Sequence, residues 1–77
     1  MHDWLKAKRM ANVYKETYPV GTRIGLIEMC DPRPIAPGTK GTVMAVDDMG
    51  TIHCNFDNGR RLGLIPDVDI FRKIQED

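Results

Sequence analysis

The sequence contains no serine, and among its 77 residues only five are aromatic and two are cysteine. Without serine, and without a Cys–His pair at a spacing that would prepare a nucleophile, nucleophilic catalysis is not expected. The few aromatic side chains also argue against a surface on which nucleobases stack. No run of about 18 apolar residues is present, so we expect no membrane helix, and the first residues lack the pattern of a signal peptide.

Possible metal ligands are sparse as well. The candidates are His2, Cys30, His53 and Cys54, and no Cys-x-x-Cys or His-x-x-x-His spacing joins them. His53 and Cys54 are neighbours on a predicted strand, so their side chains point to opposite faces and do not suit one ion. We therefore predict no metal and no cofactor, and two free thiols instead of a disulfide because no secretory signal is present.

Asp47 and Asp48 are the remaining candidates for chemistry, as a cation site or an acid–base pair. They precede Gly50 in a predicted tight turn, where aspartate side chains typically accept hydrogen bonds from the nearby backbone. A chain of this size also has little room for a pocket that excludes water. We predict that the protein is not an enzyme and has no catalytic residue.

Glycine and proline are absent from residues 1–18, whereas the rest of the chain contains seven glycines and five prolines. The charges divide at the same place, because the net charge of zero combines +2 over residues 1–18 with −2 over the remainder. A neutral total argues against a polybasic nucleic-acid protein. The division predicts two parts, a basic N-terminal helix over residues 1–18 and a body over residues 19–77.

The predicted helix is amphipathic. Asp3 is a suitable N-cap, and Pro19 should end the helix near Thr17 because proline lacks an N–H and restricts the residue before it. At 100° per residue, six apolar residues fall within one sector of about 120°. We expect this stripe to pack on the body, with a partner-binding or dimerising face as the alternative. Its residues are Trp4, Ala7, Met10, Ala11, Tyr14 and Tyr18.

The sequence of the body predicts five short strands separated by turns. The first strand ends at loop 31–38, which three prolines hold extended. In residues 51–56 every second residue is apolar, which is typical of a strand with one buried face. Asn58 and Gly59 form the typical turn of a β-hairpin, and residues 66–69 predict a single helical turn before the last strand. The predicted fold is mainly β, a small five-stranded SH3-like barrel with an N-terminal α-helix.

Several short motifs of the body occur together in a fixed order, at residues 18–24, 31–32, 37–43, 46–48, 56–60 and 64–66. In this combination the chain resembles, over about residues 14–74, a family of short domains of unknown function. That family is common in Firmicutes and is often encoded on plasmids, conjugative elements and phages. The resemblance implies an intracellular bacterial protein of mobile-element origin and supplies no catalytic residue. Phe56 stands where the family usually has tryptophan, and the first 13 residues lie outside the resemblance.

Surface recognition is the function that these patterns favour. We predict a non-catalytic interaction module that binds a host or element protein through the barrel loops and the basic helix. Modulation of host machinery, such as inhibition of a CRISPR nuclease, is one form that this function would take. Loop 31–38 is stiff, so docking it costs little conformational entropy. The candidate partner-binding residues are Lys6, Lys8, Arg9, Arg33, Ile35, Arg60 and Arg61.

Two alternatives of other classes stay open. A nucleic-acid-binding small barrel would contact phosphates through the basic residues of the helix and of the Asn-Gly hairpin. An enzyme acting through Asp47, Asp48 or Cys54 is the least favoured. No membrane contact is expected. The protein would be a monomer or a small homo-oligomer, because the helix of one copy could complete the small core of another.

Overall fold

The structure is a computed structural model, which describes residues 4–75 apart from the side chain of Trp4. The predicted N-cap Asp3 and the candidate ligand His2 lie outside this range. Within it, one helix precedes five strands. They are α1 (Trp4–Thr17), β1 (Arg23–Glu28), β2 (Lys40–Val46), β3 (Ile52–Phe56), β4 (Arg61–Leu64) and β5 (Ile70–Lys73).

Helix α1 ends where the sequence predicts. The N–H of Tyr18 donates to the carbonyl of Tyr14 at 2.7 Å, which closes the last turn just before the proline. Ala11 is buried and both tyrosines pack on the core, whereas Leu5 and Val13 are exposed. Three residues of the predicted stripe, Ala11, Tyr14 and Tyr18, thus pack on the body, whereas Ala7 and Met10 are half-buried. No helix within residues 4–75 is long and apolar enough to cross a membrane.

The five strands form one antiparallel sheet in the order β4-β3-β2-β1-β5. This confirms a mainly β fold with one N-terminal helix and five strands. The sheet is not closed, because no pairing joins β4 to β5 within the described chain. Each of these edge strands has only four residues, and short edges offer little backbone to a neighbour. A closed barrel is therefore not confirmed.

The core lies on one side of the sheet, where alternate residues of the strands are buried. In β3, Ile52, Cys54 and Phe56 are buried, as their alternation predicts. Burial raises the pKa of the Cys54 thiol to about 11, so the thiol stays protonated at neutral pH. Eight buried residues form the core cluster: Ile24, Leu26, Ile35, Val43, Ile52, Cys54, Phe56 and Leu64.

The two hairpin turns have the backbone that their sequences predict. Gly50 and Gly59 adopt φ values of 86° and 90°, in the left-handed region that favours glycine. The Asp47 carboxylate accepts hydrogen bonds from the N–H groups of Met49 and Thr51, at 2.9 and 3.0 Å. The aspartate therefore stabilises its own turn, as predicted.

Residues 65–69 form a hydrogen-bonded turn that connects β4 to β5. The carbonyl of Ile65 accepts hydrogen bonds from the N–H groups of Val68 and Asp69, at 2.9 and 2.8 Å. The side chain of Asp69 is buried, and its two oxygens accept the N–H groups of Cys30 and Ile65, both at 2.8 Å. Asp69 thereby joins the end of the first strand region to this turn, a role that the sequence did not indicate.

Candidate interaction surfaces

A groove runs between α1 and the two turns at the same end of the sheet. Met10 and Tyr14 of the helix form one wall, and Met49, Ile65 and Pro66 form the other. Met49 is 64% exposed and Ile65 49% exposed, although both side chains are apolar. We call this surface the helix groove. Lys6 and Asp67 lie at its rim and supply one charge of each sign.

The helix is positioned over this end of the sheet by packing and by one ion pair. A Cβ placed on Gly50 would lie 3.4 Å from the Tyr14 ring, so the glycine lets the turn approach the helix closely. Lys15 Nζ lies 2.9 Å from Asp48 Oδ1, and this hydrogen bond holds the pKa of Asp48 below its usual value. The pair is exposed, so it contributes little to stability. It nevertheless joins the basic helix to the acidic body.

A second surface lies on the side of the sheet opposite the core. Because alternate residues of a strand face opposite sides, the neighbours of the core residues point outward here. Strand register places Arg23 opposite Thr42, Thr42 opposite Asn55, and Asn55 opposite Arg61. Lys40 and Arg72 both pair with Gly25 in the adjacent row. We call this surface the outer sheet face: Arg23, Lys40, Thr42, Asn55, Arg61 and Arg72.

Arg23 forms hydrogen bonds with two side chains near the outer sheet face. Its guanidinium donates to both oxygens of Asp57, at 2.8 and 2.7 Å, and to the hydroxyl of Thr42 at 2.9 Å. The hydrogen bond from Arg23 holds the pKa of Asp57 below its usual value, and the charge of Lys40 acts in the same direction. Asp57 follows β3, so this ion pair connects the hairpin turn to β1.

The candidate residues Arg60 and Arg61 are neighbours in sequence, but their side chains point to different surfaces. Arg60 Nη1 donates to the carbonyl of Arg33 at 2.8 Å, which fastens loop 31–38 to the hairpin. Arg61 begins β4 and points to the outer sheet face. Arg60 belongs to the turn before β4, whereas Arg61 is the first residue of the strand, so the two side chains take different directions. The predicted basic cluster is thus divided between two surfaces.

The helix cations lie at the other end of the molecule. Lys8 and Arg9 are exposed on α1, and Lys6 lies at the rim of the helix groove. The helix packs beside the turn at residues 47–50, whereas residues 57–60 form the turn at the opposite end of β3. The structure therefore does not bring the helix cations and the hairpin cations together.

The remaining candidate, Ile35, is a core residue. Only 1% of its surface is exposed, and it packs in the same cluster as Ile24 and Phe56. Although prolines flank it in a surface loop, its apolar side chain turns inward and covers the core. Ile35 is therefore not available for a partner contact, whereas Arg33 is exposed in the same loop.

The family model of a domain of unknown function (DUF4314) matches residues 7–74. The chain belongs to the DUF4314 family. No curated protein and no solved structure matches it. The DUF4314 match begins inside α1, so the outer sheet face and all of the helix groove except Lys6 lie within the family domain. The expectation that the first 13 residues fall outside the family region is wrong for residues 7–13.

Asp47 and His53 of this DUF4314 domain interact at a turn, and Cys54 lies in its core. Burial raises the pKa of Asp47, but the hydrogen bonds from His53, Thr51 and Met49 outweigh it and lower the pKa overall. His53 Nε2 lies 2.9 Å from Asp47 Oδ2, a contact that sequence reasoning missed although six residues separate the two. Cys54 faces the core, away from this pair. Within residues 4–75, no group of three or more His, Cys, Asp or Glu side chains is arranged to hold a metal ion.

Proposed function

We propose that this DUF4314 domain is a non-catalytic interaction module that binds a protein partner in the helix groove. The observation that carries the proposal is the exposure of Met49 and Ile65 beside Met10 and Tyr14. Exposed apolar side chains that line a concave surface are typical of protein-binding sites. Covering them would remove apolar surface from water, which favours association.

The groove favours a short apolar segment of the partner, such as an exposed helix with one or two large anchoring side chains. Methionine is unbranched and flexible, so Met10 and Met49 can adapt to the shape of such an anchor. Lys6 and Asp67 at the rim would fix the orientation of the partner segment by pairing with one acidic and one basic group of that segment. Lys8 and Arg9 are exposed on the same helix but outside the groove, where they are available to acidic residues of a partner that extends beyond it.

The wider biological context is proposed from the family motifs. We infer an SH3-like fold whose sheet is open. The order β5-β1-β2-β3-β4 supports this inference, because the first four strands follow one another in sequence order and the last strand, β5, pairs with the first. A cytoplasmic Firmicutes protein of mobile-element origin, acting on host machinery such as a CRISPR nuclease, fits a small module without an assigned reaction.

Nucleic-acid binding by the helix and the Asn-Gly hairpin together is less well supported. Such binding would join Lys6, Lys8 and Arg9 to Arg60 and Arg61 in one surface. These two groups lie at opposite ends of β3, and Arg60 is directed to the carbonyl of Arg33. They would have to act as separate contacts.

A peptide-display selection tests the proposed groove and does not require that the partner be identified. Peptides are selected on the wild-type chain and measured against the double variant Met49→Glu/Ile65→Glu. The matched control is Val20→Glu/Ile27→Glu, which adds the same charge at exposed apolar residues elsewhere. We expect apolar peptides whose affinity falls at least about tenfold in the groove variant, equal to about 1.4 kcal/mol, and is retained in the control.

Two results would contradict the proposal. One is a selection in which no peptide distinguishes the groove variant from the control. The other comes from sedimentation analysis of the wild type. If the wild type self-associates and Met49→Glu/Ile65→Glu abolishes this, a second copy of the chain occupies the groove instead of a different partner.

A further inference from the structure

In the body, most basic residues lie in the strands and most acidic residues lie in the loops and turns, with Arg33 and Arg60 the basic exceptions. The strands carry five basic residues and one acidic residue, Glu28, whereas six aspartates lie in the loops and turns of the described chain. Glu28 is at the far end of β1, beyond a register shift. The net charge of zero therefore conceals a basic sheet. Its basic residues are Arg23, Lys40, Arg61, Arg72 and Lys73.

We propose that the outer sheet face binds the phosphate backbone of a nucleic acid. Four of the five strand cations, all except Lys73, point to this face at the end of the sheet nearer the Asn-Gly hairpin. Adjacent strands lie about 4.8 Å apart, so the path from Arg61 on β4 to Arg72 on β5 crosses about 19 Å. That length can span several phosphates of one strand, which carry one negative charge each.

The polar residues between these cations suit phosphate and sugar contacts. Thr42 and Asn55 lie in the row that connects Arg23 to Arg61, and hydroxyl and amide groups are common donors to a nucleic-acid backbone. Gly25 separates Lys40 from Arg72, and Ile74 Cγ2 lies 3.5 Å from the place of a Cβ at Gly25, so the two cations flank a small apolar contact. Within residues 4–75, neither Arg61 nor Arg72 forms an ion pair.

We expect the outer sheet face to bind the nucleic-acid backbone without recognising the base sequence. The four aromatic side chains that the structure describes, Tyr14, Tyr18, Phe56 and Phe71, all belong to the core or pack against it. None is available on the outer sheet face to stack a base, and stacking is what gives single-strand binders much of their affinity. We therefore expect weak, salt-dependent binding that is similar for different sequences.

Asp57 limits this binding in the free protein. Its carboxylate accepts two hydrogen bonds from Arg23 and lies near Lys40, so it neutralises part of the charge that a phosphate would meet. A phosphate near Arg23 has to compete with this ion pair. Asp57→Asn removes the negative charge while it keeps the size of the side chain.

Fluorescence anisotropy with labelled 20-nucleotide single-stranded DNA, of two different sequences, and with a 20-base-pair duplex tests the proposal between 25 and 200 mM NaCl. The face variant is Arg61→Gln/Arg72→Gln, and the matched control is Arg9→Gln/Arg33→Gln, which removes the same charge from exposed arginines outside the face. We expect the face variant to lose about tenfold in affinity for single strands at low salt. The slope of log affinity against log NaCl concentration should become less steep by about 1.4. The control variant should lose much less affinity.

Asp57→Asn provides a second test in which the expected change is a gain. Affinity should rise several-fold at low salt, with the same increase for each DNA sequence. Thermal unfolding of each variant checks that it is folded. A loss in the control equal to that in the face variant would overturn the assignment to this face, as would no detectable binding of the wild type at 25 mM NaCl.

Poly-glutamate, labelled in the same way, distinguishes an acidic protein segment from a nucleic acid. If poly-glutamate binds as tightly as DNA, the nucleic-acid assignment is wrong. The peptide-display result is independent, because Met49→Glu/Ile65→Glu changes the helix groove and leaves the strand cations in place. Failure of one proposal therefore does not imply failure of the other.

Discussion

The carboxylate of Asp69 accepts a hydrogen bond from the backbone N–H of Cys30, which lies 39 residues earlier in the chain. The second oxygen of the same carboxylate accepts the N–H of Ile65. Asp69 is 6% exposed, so both donors are satisfied where water has little access. One side chain thus joins the end of β1 to the turn between the two edge strands.

Replacing Asp69 with alanine should lower the free energy of unfolding by about 1 to 3 kcal/mol, because two backbone donors lose their partner. Urea unfolding at pH 7 measures the change. Asp69→Asn keeps one oxygen acceptor, so its loss should be smaller. Asp67→Ala, at an exposed residue of the same turn, is the control and should change stability by less than about 0.5 kcal/mol. Equal effects of Asp69→Ala and Asp67→Ala would contradict the role assigned to Asp69.

The strands were predictable because their patterns are local. Alternation placed Ile52, Cys54 and Phe56 on one face, and Asn58 with Gly59 placed the hairpin. These patterns depend only on the pleat of a strand and on the freedom of glycine. They could not indicate whether the sheet closes, because closure depends on contacts between β4 and β5, at opposite edges.

The candidate site was less predictable, because it depends on which strands are neighbours. The outer sheet face joins Arg23, Thr42, Asn55 and Arg61 from four strands, and only the register brings them into one row. The divergence of Arg60 from Arg61 depends on a contact of Arg60 with the carbonyl of Arg33, 27 residues earlier, which no local pattern indicates. The burial of Ile35 was not predictable either, because its loop contains three prolines and no periodic pattern.

Gly41 lies in β2 against the ring of Phe56. A Cβ at Gly41 would stand 2.9 Å from Phe56 Cδ1 and 3.2 Å from the carbonyl oxygen of Asn55. Gly41→Ala should therefore destabilise the protein by about 1 to 3 kcal/mol through overpacking, measured as a shift in the urea midpoint. Gly25→Ala is the control, since its Cβ would meet only Ile74 at 3.5 Å, an ordinary contact.

The Gly25→Ala variant should be as stable as the wild type or slightly more stable, because alanine loses less backbone entropy on folding than glycine. If both alanine variants unfold at the same urea concentration, the close approach of Phe56 to β2 does not restrict residue 41. Phe56→Leu combined with Gly41→Ala adds a further check. The shorter side chain should recover part of the stability lost in the single variant.

The two cysteines should differ in reactivity in the folded protein. Cys30 is exposed, whereas Cys54 is buried and burial raises the pKa of its thiol to about 11. Because the thiolate is the reactive form, a thiol reagent at pH 8 should modify one cysteine per chain rapidly. The second should react only as the protein unfolds. Mass spectrometry of the modified peptides identifies which thiol reacted, and rapid modification of Cys54 in the native protein would show that the core opens readily.

Acid should destabilise the protein through the ion pairs that join its separate segments. Arg23 lowers the pKa of Asp57, and Lys15 lowers the pKa of Asp48. A carboxyl whose pKa is lower in the folded state contributes stability above its unfolded pKa of about 3.9. That contribution is lost as pH falls below this value and through the lower folded pKa. The urea midpoint should therefore be steady from pH 7 to about 5 and fall below about pH 4.

Asp57→Asn separates this effect from general acid unfolding. The variant should be less stable than the wild type at pH 7, and the difference should shrink as pH falls toward 3, because the wild-type carboxyl is then protonated as well. Salt at 1 M should shrink the difference at pH 7, since exposed charges are screened. A difference that stays constant from pH 7 to 3 would contradict a contribution of the Asp57 charge to stability.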